Sequence, residues 1–437
     1  MSSLASKADL FALATRLFPI CRSITGNGVR ETLRILKEYL PGLEVHEVPT
    51  GTPAFDWVVP DEWNIFGAQL IGPDGECIAD FAHNNLHVVG YSTPVDRDLA
   101  LEELQSHLHS LPEQPDAIPY VTSYYKRDWG FCITHRQREK LKPGLYHARI
   151  HSDLKPGFLT YSDLVIPGES RDEILLSTYI CHPSMANNEL TGPVIATFLA
   201  QWIASSPRKY TYRFAFVPET IGTLVYLSKL LPHFQSVTRA GFVITCCGDP
   251  GRFSFLPSRT GTTYADRLAR SVLSINEPTF QEYDFLKRGS DERQYCSPLV
   301  DLPVASIMRS KYHEYSEYHT SLDNLDFITP EALRRTLEIY SKVISANESN
   351  CVPHATVIGE PLLSKYDLYP TTGGQVNQLN VALTLDLLGL ADGKSDLVDL
   401  SLRLKCEITE LRKRADLLAS HGLLRLEPIK HITPDKI

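Results

Sequence analysis

Residues 173–193 read EILLSTYICHPSMANNELTGP and carry the clearest fold signal in the chain. The first nine residues form a nearly continuous apolar or β-branched run, which is typical of a strand buried on both faces of a mainly parallel sheet. A polar turn with His182 and Asn188 follows, and the apolar stretch 193–204 then predicts a buried helix. A strand, a polar turn and a helix in this order predict a βα unit with its chemistry at the carboxyl end of the strand.

The same pattern repeats between about residues 157 and 350. Further apolar runs predict buried strands, and helical stretches lie between them, so the sequence predicts an α/β sandwich. The expected strands are YRFAFV (212–217), GFVITCC (241–247) and PVASIM (303–308), and the expected helices are TLVYLSKLL (223–231) and EALRRTLEIYSKVISA (331–346), which follows a Thr329 cap and Pro330.

Composition and charge narrow the class of protein. The chain has 437 residues, with 43 Lys and Arg against 52 Asp and Glu, which gives a formal charge of −9. This charge argues against nucleic-acid binding driven by bulk charge, and the length predicts two or three domains. Lys7 and Asp9 interrupt the place where a signal peptide needs its apolar stretch, and no apolar run is long enough to span a membrane, so we expect a cytoplasmic protein. Nine scattered cysteines without a CxxC pair indicate reduced thiols.

Residues 53–147 differ from the flanking segments in composition and in their pattern of strands and turns. Aromatic residues are dense there, and strand-like pieces alternate with turns such as GPDGE and YSTP. We predict an inserted α+β domain, which leaves 1–52 and 148–350 to form the catalytic domain. The aromatic residues have two interpretations: they fill a small core, or they belong to a lid from which Tyr124 and Arg127 touch a substrate.

Residues 351–437 predict a winged helix-turn-helix, because three short helical stretches precede a strand-like segment. Nine Lys or Arg balance nine Asp or Glu from residue 379 onward, and the third helix carries only the short basic cluster Arg412, Lys413 and Arg414. DNA binding is therefore disfavoured, and we expect protein contact, with self-association into a homo-oligomer. The helical stretches are 379–390, 395–404 and 408–422, and the strand-like segment is 423–429.

Four separate strand ends in the α/β half are followed by residues that can bind a metal or move a proton, namely His182, Glu219, Asp249 and His319. Parallel strands present their carboxyl ends at one edge of a sheet, so these side chains are expected to converge. Imidazole and carboxylate ligands fit a catalytic zinc with one position open for water. Each residue alone is more often a cap or a surface group, and only their shared placement favours a site.

Acidic residues near these strand ends have expected roles. Glu219 is the candidate general base, because a carboxylate beside a metal ion can take a proton from water that attacks a carbonyl; helix capping or pairing with an Arg is the alternative. Asp291 and Glu292 lie in a polar loop, where either binds the ammonium group of a peptide substrate or forms a solvated turn. Asp323 lies four residues after His319 and is placed to orient that imidazole.

Eight segments spread over nearly the whole chain carry a family resemblance: RSITGNGVRET, DEWNIFGA, LHVVGYSTP, IPYVTSYYKRDWGFC, STYICHPSMANNELTGP, VPETIGTLVYL, SDERQYCSP and EYHTSLDNLDF. They resemble the zinc aminopeptidase family of the bacterial leucyl type, which also includes glutaminyl cyclases and glutamate carboxypeptidases. The chain is more closely similar to a bacterial subfamily of aminopeptidase-like proteins with an inserted domain and a C-terminal winged helix. The resemblance implies a phosphorylase/hydrolase-like α/β sandwich, one or two zinc ions and hydrolysis of a peptide or related amide bond.

The resemblance also implies roles by position. His182 takes the place of the first metal histidine, Asp249 that of a metal aspartate and His319 that of the last metal histidine. Glu219 takes the place of the general base. The resemblance thus implies a zinc ion held by the two histidines and the aspartate.

Two positions depart from the family pattern. Asn188 stands where the family has the aspartate that bridges two zinc ions, and Thr220 stands where it has a second-metal glutamate. A neutral amide and a hydroxyl are poorer zinc ligands than carboxylates, so we expect one tightly bound zinc per chain, with Asn188 or Glu189 completing or orienting its shell.

The leading hypothesis is a zinc-dependent, aminopeptidase-like hydrolase that cleaves a small peptide or an amide-linked metabolite. Cyclase or deacylase chemistry at the same metal is the alternative within enzymes. A catalytically dead, ligand-sensing regulator is the alternative outside them, because Asn188 and Thr220 then mark lost catalysis. The neutral winged helix disfavours a regulator that binds DNA.

Overall fold

The structure of the chain is a computed structural model that describes residues 3–369 and 375–429, without the side chains of residues 375–379. Residues 370–374 and 430–437 of the predicted winged-helix segment lie outside the described residues. The strands are β1 (Glu44–Pro49), β2 (Pro53–Ala54), β3 (Trp57–Val58), β4 (Glu62–Ile71), β5 (Cys77–Asp80), β6 (Val95–Ala100), β7 (Leu108–His109), β8 (Phe131–Cys132), β9 (Leu145–Lys155), β10 (Phe158–Ile166), β11 (Glu173–Tyr179), β12 (Thr211–Val217), β13 (Thr238–Val243), β14 (Ser254–Leu256), β15 (Gln281–Glu282), β16 (Val304–Met308), β17 (Val352–Ala355) and β18 (Leu424–Glu427).

The helices alternate with the strands of the α/β half, as the sequence pattern predicts. They are α1 (Lys7–Leu17), α2 (Asn27–Tyr39), α3 (Leu101–Leu104), α4 (His135–Arg138), α5 (Thr191–Ala204), α6 (Ile221–Val237), α7 (Tyr264–Asn276), α8 (Glu292–Tyr295), α9 (Pro330–Ser349), α10 (Gln375–Leu390), α11 (Leu397–Leu404) and α12 (Ile408–Ser420).

An eight-stranded mixed sheet forms the centre of the molecule, in the order β1-β10-β12-β11-β13-β16-β14-β15. The four strands predicted from apolar runs, β12, β11, β13 and β16, are neighbours in this sheet and run parallel. Every residue of β11 is buried, which is why its sequence shows no alternation of polar and apolar residues. The mixed α/β fold predicted from the sequence is confirmed.

Helices cover both faces of this sheet. Ile174 and Leu176 of β11 point into a core shared with α1, α5, α7 and α9, whereas Leu175 points into a second core shared with α6. Side chains alternate along a strand, so one apolar run supplies both cores. Helix α9 begins as predicted, with the Thr329 hydroxyl accepting a hydrogen bond from the N–H of Ala332 and Pro330 in the first turn.

The inserted region builds its own four-stranded antiparallel sheet, in the order β5-β4-β9-β6. Strand β9 runs from Leu145 to Lys155, so the predicted domain boundary at residue 147 falls inside this strand. The reason is that every second residue of β9 from Tyr146 to Ser152 is buried and that β9 pairs with β4 up to Lys155. This sheet has a separate core that contains Phe131, Tyr146 and Ile150.

One segment of the inserted region is fixed to the strand-end edge of the main sheet. Pro119 and Thr320 form a β-bridge, and the N–H of Tyr120 donates to the carbonyl of His319 at 2.9 Å. The N–H of Ser321 also donates to the carbonyl of Ile118 at 2.9 Å. Backbone hydrogen bonds therefore tie this segment of the inserted region to the chain around His319.

The C-terminal region packs against the α/β half. Strands β17 and β18 pair antiparallel, and Arg267 of α7 forms ion pairs with Asp396 at 3.0 Å and with Asp399. In α12, Arg412 is paired with Asp416 at 2.8 Å and Arg414 with Glu410 at 3.1 Å. Among the described residues, none of the helices combines the length and the apolar character that crossing a membrane requires.

Candidate active site

His182 lies three residues beyond the end of β11 and is buried. Its Nδ1 lies 2.8 Å from Oε2 of Glu189, and its Nε2 lies 3.7 Å from Oε2 of Glu219. Glu189 belongs to a π-helical turn, Ala186–Leu190, that leads into α5. The imidazole is thus held on one nitrogen and directs the other toward the predicted general base.

A buried arginine supports this histidine. Nε of Arg22 donates to the carbonyl of His182 at 3.1 Å and lies 3.6 Å from Oε1 of Glu189, and both charged side chains are 0% exposed. Burial raises the pKa of Glu189, and burial together with the Arg22 charge lowers the pKa of His182 to about 3. His182 is therefore a neutral imidazole, which is the form that binds metals.

The sequence predicts a role for Glu189 but none for Arg22. Glu189 is expected to orient or complete the ligand shell of the zinc ion, and its contact with His182 fits the orienting role. Arg22 had no predicted role, although it lies in the quoted segment RSITGNGVRET. A charged residue inside an otherwise short polar turn was the only available signal.

Glu219 lies just beyond β12 and faces the loop that precedes α8. Its Oε1 accepts a hydrogen bond from the Ser290 hydroxyl at 2.8 Å, and Asp291 lies close enough that the two carboxyl groups interact. Burial and the neighbouring Asp291 carboxylate both raise the pKa of Glu219. A carboxyl group in this setting is well placed to exchange a proton near neutral pH.

His319 completes the strand-end group from the opposite side. Its ring stacks on Tyr318 with centroids 3.8 Å apart and lies 5.2 Å from the His182 ring, and Tyr120 of the insertion packs against both imidazoles. The Nε2 of His319 is buried and has no hydrogen-bond partner. Burial lowers the pKa of His319 to about 2, so the imidazole is neutral and one of its two nitrogens carries a lone pair.

Asp249 does not join this group. Its Oδ1 accepts hydrogen bonds from the Gly251 N–H at 2.8 Å and the Ser310 hydroxyl at 2.7 Å, and its Oδ2 accepts from the Asn187 amide and the Ser310 N–H, both at 3.0 Å. These four bonds occupy the acceptor positions of the carboxylate. Among the residues described, the expected set of His182, Asp249 and His319 is not one of the groups whose ligand atoms lie within 4.8 Å of one another.

Asn188 and Asp323 also differ from expectation. The Oδ1 of Asn188 accepts a hydrogen bond from the Tyr179 hydroxyl at 3.1 Å. The Asp323 carboxylate accepts from the backbone N–H groups of Asn187 at 2.6 Å and Asn188 at 2.9 Å instead of orienting His319. Asp323 therefore holds the π-helical turn in place, because it satisfies backbone donors that have no partner within the turn.

The expected ammonium-binding residues serve the loop instead. The Glu292 carboxylate accepts from the N–H groups of Gly289 at 2.8 Å and Ser290 at 2.9 Å, and from the Tyr312 hydroxyl. Asp291 is fully buried and accepts from the Thr220 N–H at 2.8 Å. One oxygen of each carboxyl group thus holds the Ser290 or Thr220 backbone, whereas Oδ2 of Asp291 and Oε2 of Glu292 are buried without a hydrogen-bond partner.

The predicted substrate contacts in the insertion separate into two groups. Tyr124 is partly buried, and its hydroxyl lies 3.0 Å from that of Tyr120, next to the two imidazoles. Arg127 is exposed and forms an ion pair with Asp61 at 2.8 Å. Tyr124 is thus near the site, and Arg127 is occupied at the surface.

Two groups of potential metal ligands are found among the described residues. Cys181, His182 and Glu189 form one, but the Arg22 guanidinium beside Glu189 supplies a positive charge there already. The other, Glu44, His46 and Asp163, lies at the edge of the main sheet. In that group Asp163 is also bound by Arg213 at 2.9 Å, so its charge is compensated.

The types of these side chains fit a metal ion. Two neutral imidazoles, His182 and His319, and the Glu219 carboxyl group 3.7 Å from Nε2 of His182 are donors that zinc accepts. Among the described residues, this set, like the set with Asp249, is not one of the groups whose ligand atoms all lie within 4.8 Å of one another. The positions that would hold a second ion are filled otherwise: the Asn188 amide is bonded to Tyr179, and the Thr220 hydroxyl accepts from Arg293 at 3.0 Å.

Solved structures place the fold among aminopeptidases. A zinc aminopeptidase from Bacillus subtilis aligns with a TM-score of 0.57 at 10% identity, over 78% of this chain and 95% of that one. An aminopeptidase from Aneurinibacillus sp. strain AM-1 aligns with a TM-score of 0.52 at 12% identity, over 78% of this chain and 94% of that one. At these identities the likeness shows a shared mixed α/β fold.

The family follows from closer matches. The model of the domain of unknown function DUF4910 matches residues 11–350, and a winged helix-turn-helix model matches residues 351–426. The chain belongs to the DUF4910 family and carries a C-terminal winged helix-turn-helix domain.

Two relatives come from Clostridium acetobutylicum. One, named as a candidate polysaccharide biosynthesis protein with an aminopeptidase-like domain, is 41% identical over 420 residues, which is 96% of each chain. A crystal structure of a candidate peptidase from the same organism aligns at 39% identity with a TM-score of 0.90, over 96% of each chain.

Proposed function

We propose that this protein is a metal-dependent hydrolase of the aminopeptidase type that cleaves a peptide or amide bond in a small substrate. The observation that carries the proposal is the buried Nε2 of His319, which has no hydrogen-bond partner and belongs to a ring 5.2 Å from that of His182. A buried polar atom without a partner costs free energy unless a ligand satisfies it. His182 and His319 would hold the ion.

A zinc ion held by these imidazoles would polarise the substrate carbonyl and lower the pKa of water. Glu219 would take the proton of the attacking water and pass it to the leaving amine. The Ser290 hydroxyl, 2.8 Å from Glu219, keeps the second carboxyl oxygen in place during this transfer. The Tyr124 and Tyr120 hydroxyls lie beside the site and are available to donate to the substrate carbonyl.

We propose one tightly held zinc per chain. Two dications about 3.5–4 Å apart need carboxylates between them to offset their repulsion. Asn188 contributes no charge, Thr220 is bonded to Arg293, and the Asp249 carboxylate is bonded to Ser310 and Asn187. Replacing Asn188 with Asp and Thr220 with Glu together should raise the affinity for a second ion.

The name of one relative supports a substrate class, and the charge pairing in α12 supports a role for the C-terminal domain. The name of the Clostridium relative joins polysaccharide biosynthesis to an aminopeptidase-like domain, so an amide-linked metabolite is a reasonable substrate. Cyclase or deacylase chemistry would use the same metal and the same Glu219. The winged helix would serve self-association, because Arg412 and Arg414 are already paired with acidic residues of α12.

A second candidate function is ligand sensing without catalysis. It is favoured by the loss of carboxylates at Asn188 and Thr220 and by the engaged Asp249. A sensor would bind its ligand without turning it over.

Elemental analysis of the purified protein, combined with hydrolysis assays on aminoacyl amides, dipeptides and N-acyl sugars, tests the proposal. About one zinc per chain together with turnover that chelation abolishes would support the hydrolase. Bound zinc without turnover on any of these substrates would favour the sensor. Absence of zinc from protein purified in its presence would overturn both the metal site and the hydrolase.

A further inference from the structure

Thr220, next to the candidate general base, has an unusual backbone conformation. Its φ is +63°, which a β-branched residue rarely adopts. The conformation is held on both sides: its N–H donates to Oδ1 of Asp291 at 2.8 Å, and its hydroxyl accepts from Nη2 of Arg293 at 3.0 Å. The loop 290–293 therefore places an arginine directly at the position where the resemblance implies a second-metal glutamate.

The hydrogen bonds of Arg293 all go to neutral oxygen atoms. Its Nε donates to the carbonyl of Ser290 at 3.0 Å and its Nη2 to the Thr220 hydroxyl. Within the described part of the chain, no carboxylate oxygen lies within 4.0 Å of its guanidinium nitrogens. A guanidinium has five N–H donors, so this exposed side chain keeps N–H donors available and carries a positive charge without a direct ion pair among the described residues.

Arg293 lies close to the candidate general base. Its Nε donates to the carbonyl of Ser290, whose hydroxyl donates to Glu219, and its Nη2 donates to the hydroxyl of Thr220, the residue after Glu219. A substrate group bound by Arg293 would therefore lie on the Glu219 side of the site.

We propose that Arg293 is the anchor of an oxyanion subsite, which binds a carboxylate or phosphate group of the substrate while the scissile bond lies toward Glu219. The inference rests on the proposed function and adds that the substrate is anionic. The planar fork of a guanidinium suits bidentate pairing with either group. The site then discriminates against neutral amides, because they would leave the Arg293 charge unpaired.

The nearby acidic residues do not fill this subsite. Oε1 of Glu219 accepts from the Ser290 hydroxyl and Oδ1 of Asp291 accepts from the Thr220 N–H, and Arg293 forms no hydrogen bond with either carboxyl group. The alternative is that Arg293 has only a structural role near Thr220 and Glu219 and binds no substrate group.

Titration calorimetry with inorganic phosphate, and separately with acetate, at fixed ionic strength tests the subsite on the full-length protein. Arg293→Gln should weaken binding by about tenfold to a hundredfold, since hydrogen bonds to charged groups typically contribute that much. Arg293→Lys keeps the charge without the fork and should weaken binding less. Arg288→Gln is the matched control: Arg288 is also exposed, its guanidinium lies over the Phe285 ring, and affinity should stay within about twofold.

The two anions identify the group that the substrate carries. Binding of phosphate alone would indicate a phosphorylated substrate, and binding of both anions would indicate that a carboxylate suffices; either result requires the loss in Arg293→Gln. Unchanged binding in Arg293→Gln, equal losses in Arg293→Gln and Arg288→Gln, or no binding by the unmodified protein would each overturn the subsite.

A His319→Ala variant separates this inference from the metal proposal. Phosphate affinity that survives in His319→Ala and falls in Arg293→Gln supports the subsite even if no zinc is found. Affinity lost in His319→Ala and retained in Arg293→Gln would show that a metal ion binds the anion, and would overturn the role of Arg293. A thermal melt of each variant checks that the fold is retained.

Discussion

Glu219 and Asp249 lie beyond β12 and β13, the two parallel strands that flank β11 in the main sheet, yet their surroundings differ. Asp249 accepts four hydrogen bonds, from Gly251, Asn187 and twice from Ser310. Glu219 accepts one from the Ser290 hydroxyl and lies 3.7 Å from the Nε2 of His182. The Asp249 carboxylate joins loops to each other, whereas the Glu219 carboxyl group keeps lone pairs that are free for chemistry.

This difference shows that a strand-end position is necessary for a carboxylate to belong to the candidate active site, but that it is not sufficient. A carboxylate whose acceptor positions are filled by fixed donors is stabilised as a structural group. Removing those donors would be needed before it could bind a metal. The candidate active site is therefore confined to the side of the edge that contains His182, Glu219 and His319.

The sharpest test of this comparison is metal content. His182→Ala and His319→Ala should each abolish stoichiometric zinc, because each removes one of only two proposed imidazole ligands. Elemental analysis after gel filtration measures the result, and Asp249→Asn is the control that should keep its zinc. Full zinc content in both histidine variants, or its loss only in Asp249→Asn, would reverse the assignment.

The next largest effect is expected for Glu219. Glu219→Gln should lower kcat on a genuine substrate by about 10²–10⁴-fold, since general-base catalysis contributes that much, while zinc content and substrate binding persist. Ser290→Ala should lower it less, because the Ser290 hydroxyl only positions one oxygen of Glu219. Near-normal kcat in Glu219→Gln would remove this residue from the mechanism.

A smaller effect is expected for the pair that holds His182. Glu189→Gln should weaken zinc binding by about 10–100-fold, because a carboxylate that orients a metal-binding histidine typically contributes that much. The double variant Arg22→Met with Glu189→Gln should recover stability lost through the unpaired Arg22, but should not recover zinc affinity. Competition with a fluorescent zinc chelator measures the affinity. Recovery of both stability and zinc affinity in the double variant would show that Glu189 acts only on the fold.

The smallest effect concerns Asp249 as a structural residue. Asp249→Asn should lower the free energy of unfolding by about 1–3 kcal/mol, because the amide nitrogen cannot accept the hydrogen bonds that one carboxylate oxygen receives. Urea denaturation with an unchanged m-value measures the loss. Ser310→Ala should produce part of the same loss, since its hydroxyl donates to Asp249 at 2.7 Å. A stability equal to that of the unmodified protein would contradict the structural role.

The central fold could be predicted from the sequence because the patterns that indicate its strands and helices lie within short stretches of the chain. The runs 173–181 and 212–217 are apolar over their whole length, and such runs are stable only when both faces of the strand are buried. The Thr329 cap and Pro330 likewise marked the start of α9 through contacts within four residues. The candidate histidines were found for the same reason, since each directly follows or lies close to a recognisable strand pattern.

Contacts between distant parts of the chain decided the rest. Arg22 contacts the carbonyl of His182 across a separation of 160 residues, and three of the four donors to Asp249 belong to residues 61 or 62 positions away. Periodicity and spacing describe which face a residue occupies and give no information on which donors reach it. The residue types and strand ends of the site were therefore determined by the sequence, whereas the tertiary structure decided which carboxylates kept free lone pairs, because that depends on hydrogen bonds formed only when distant loops pack together.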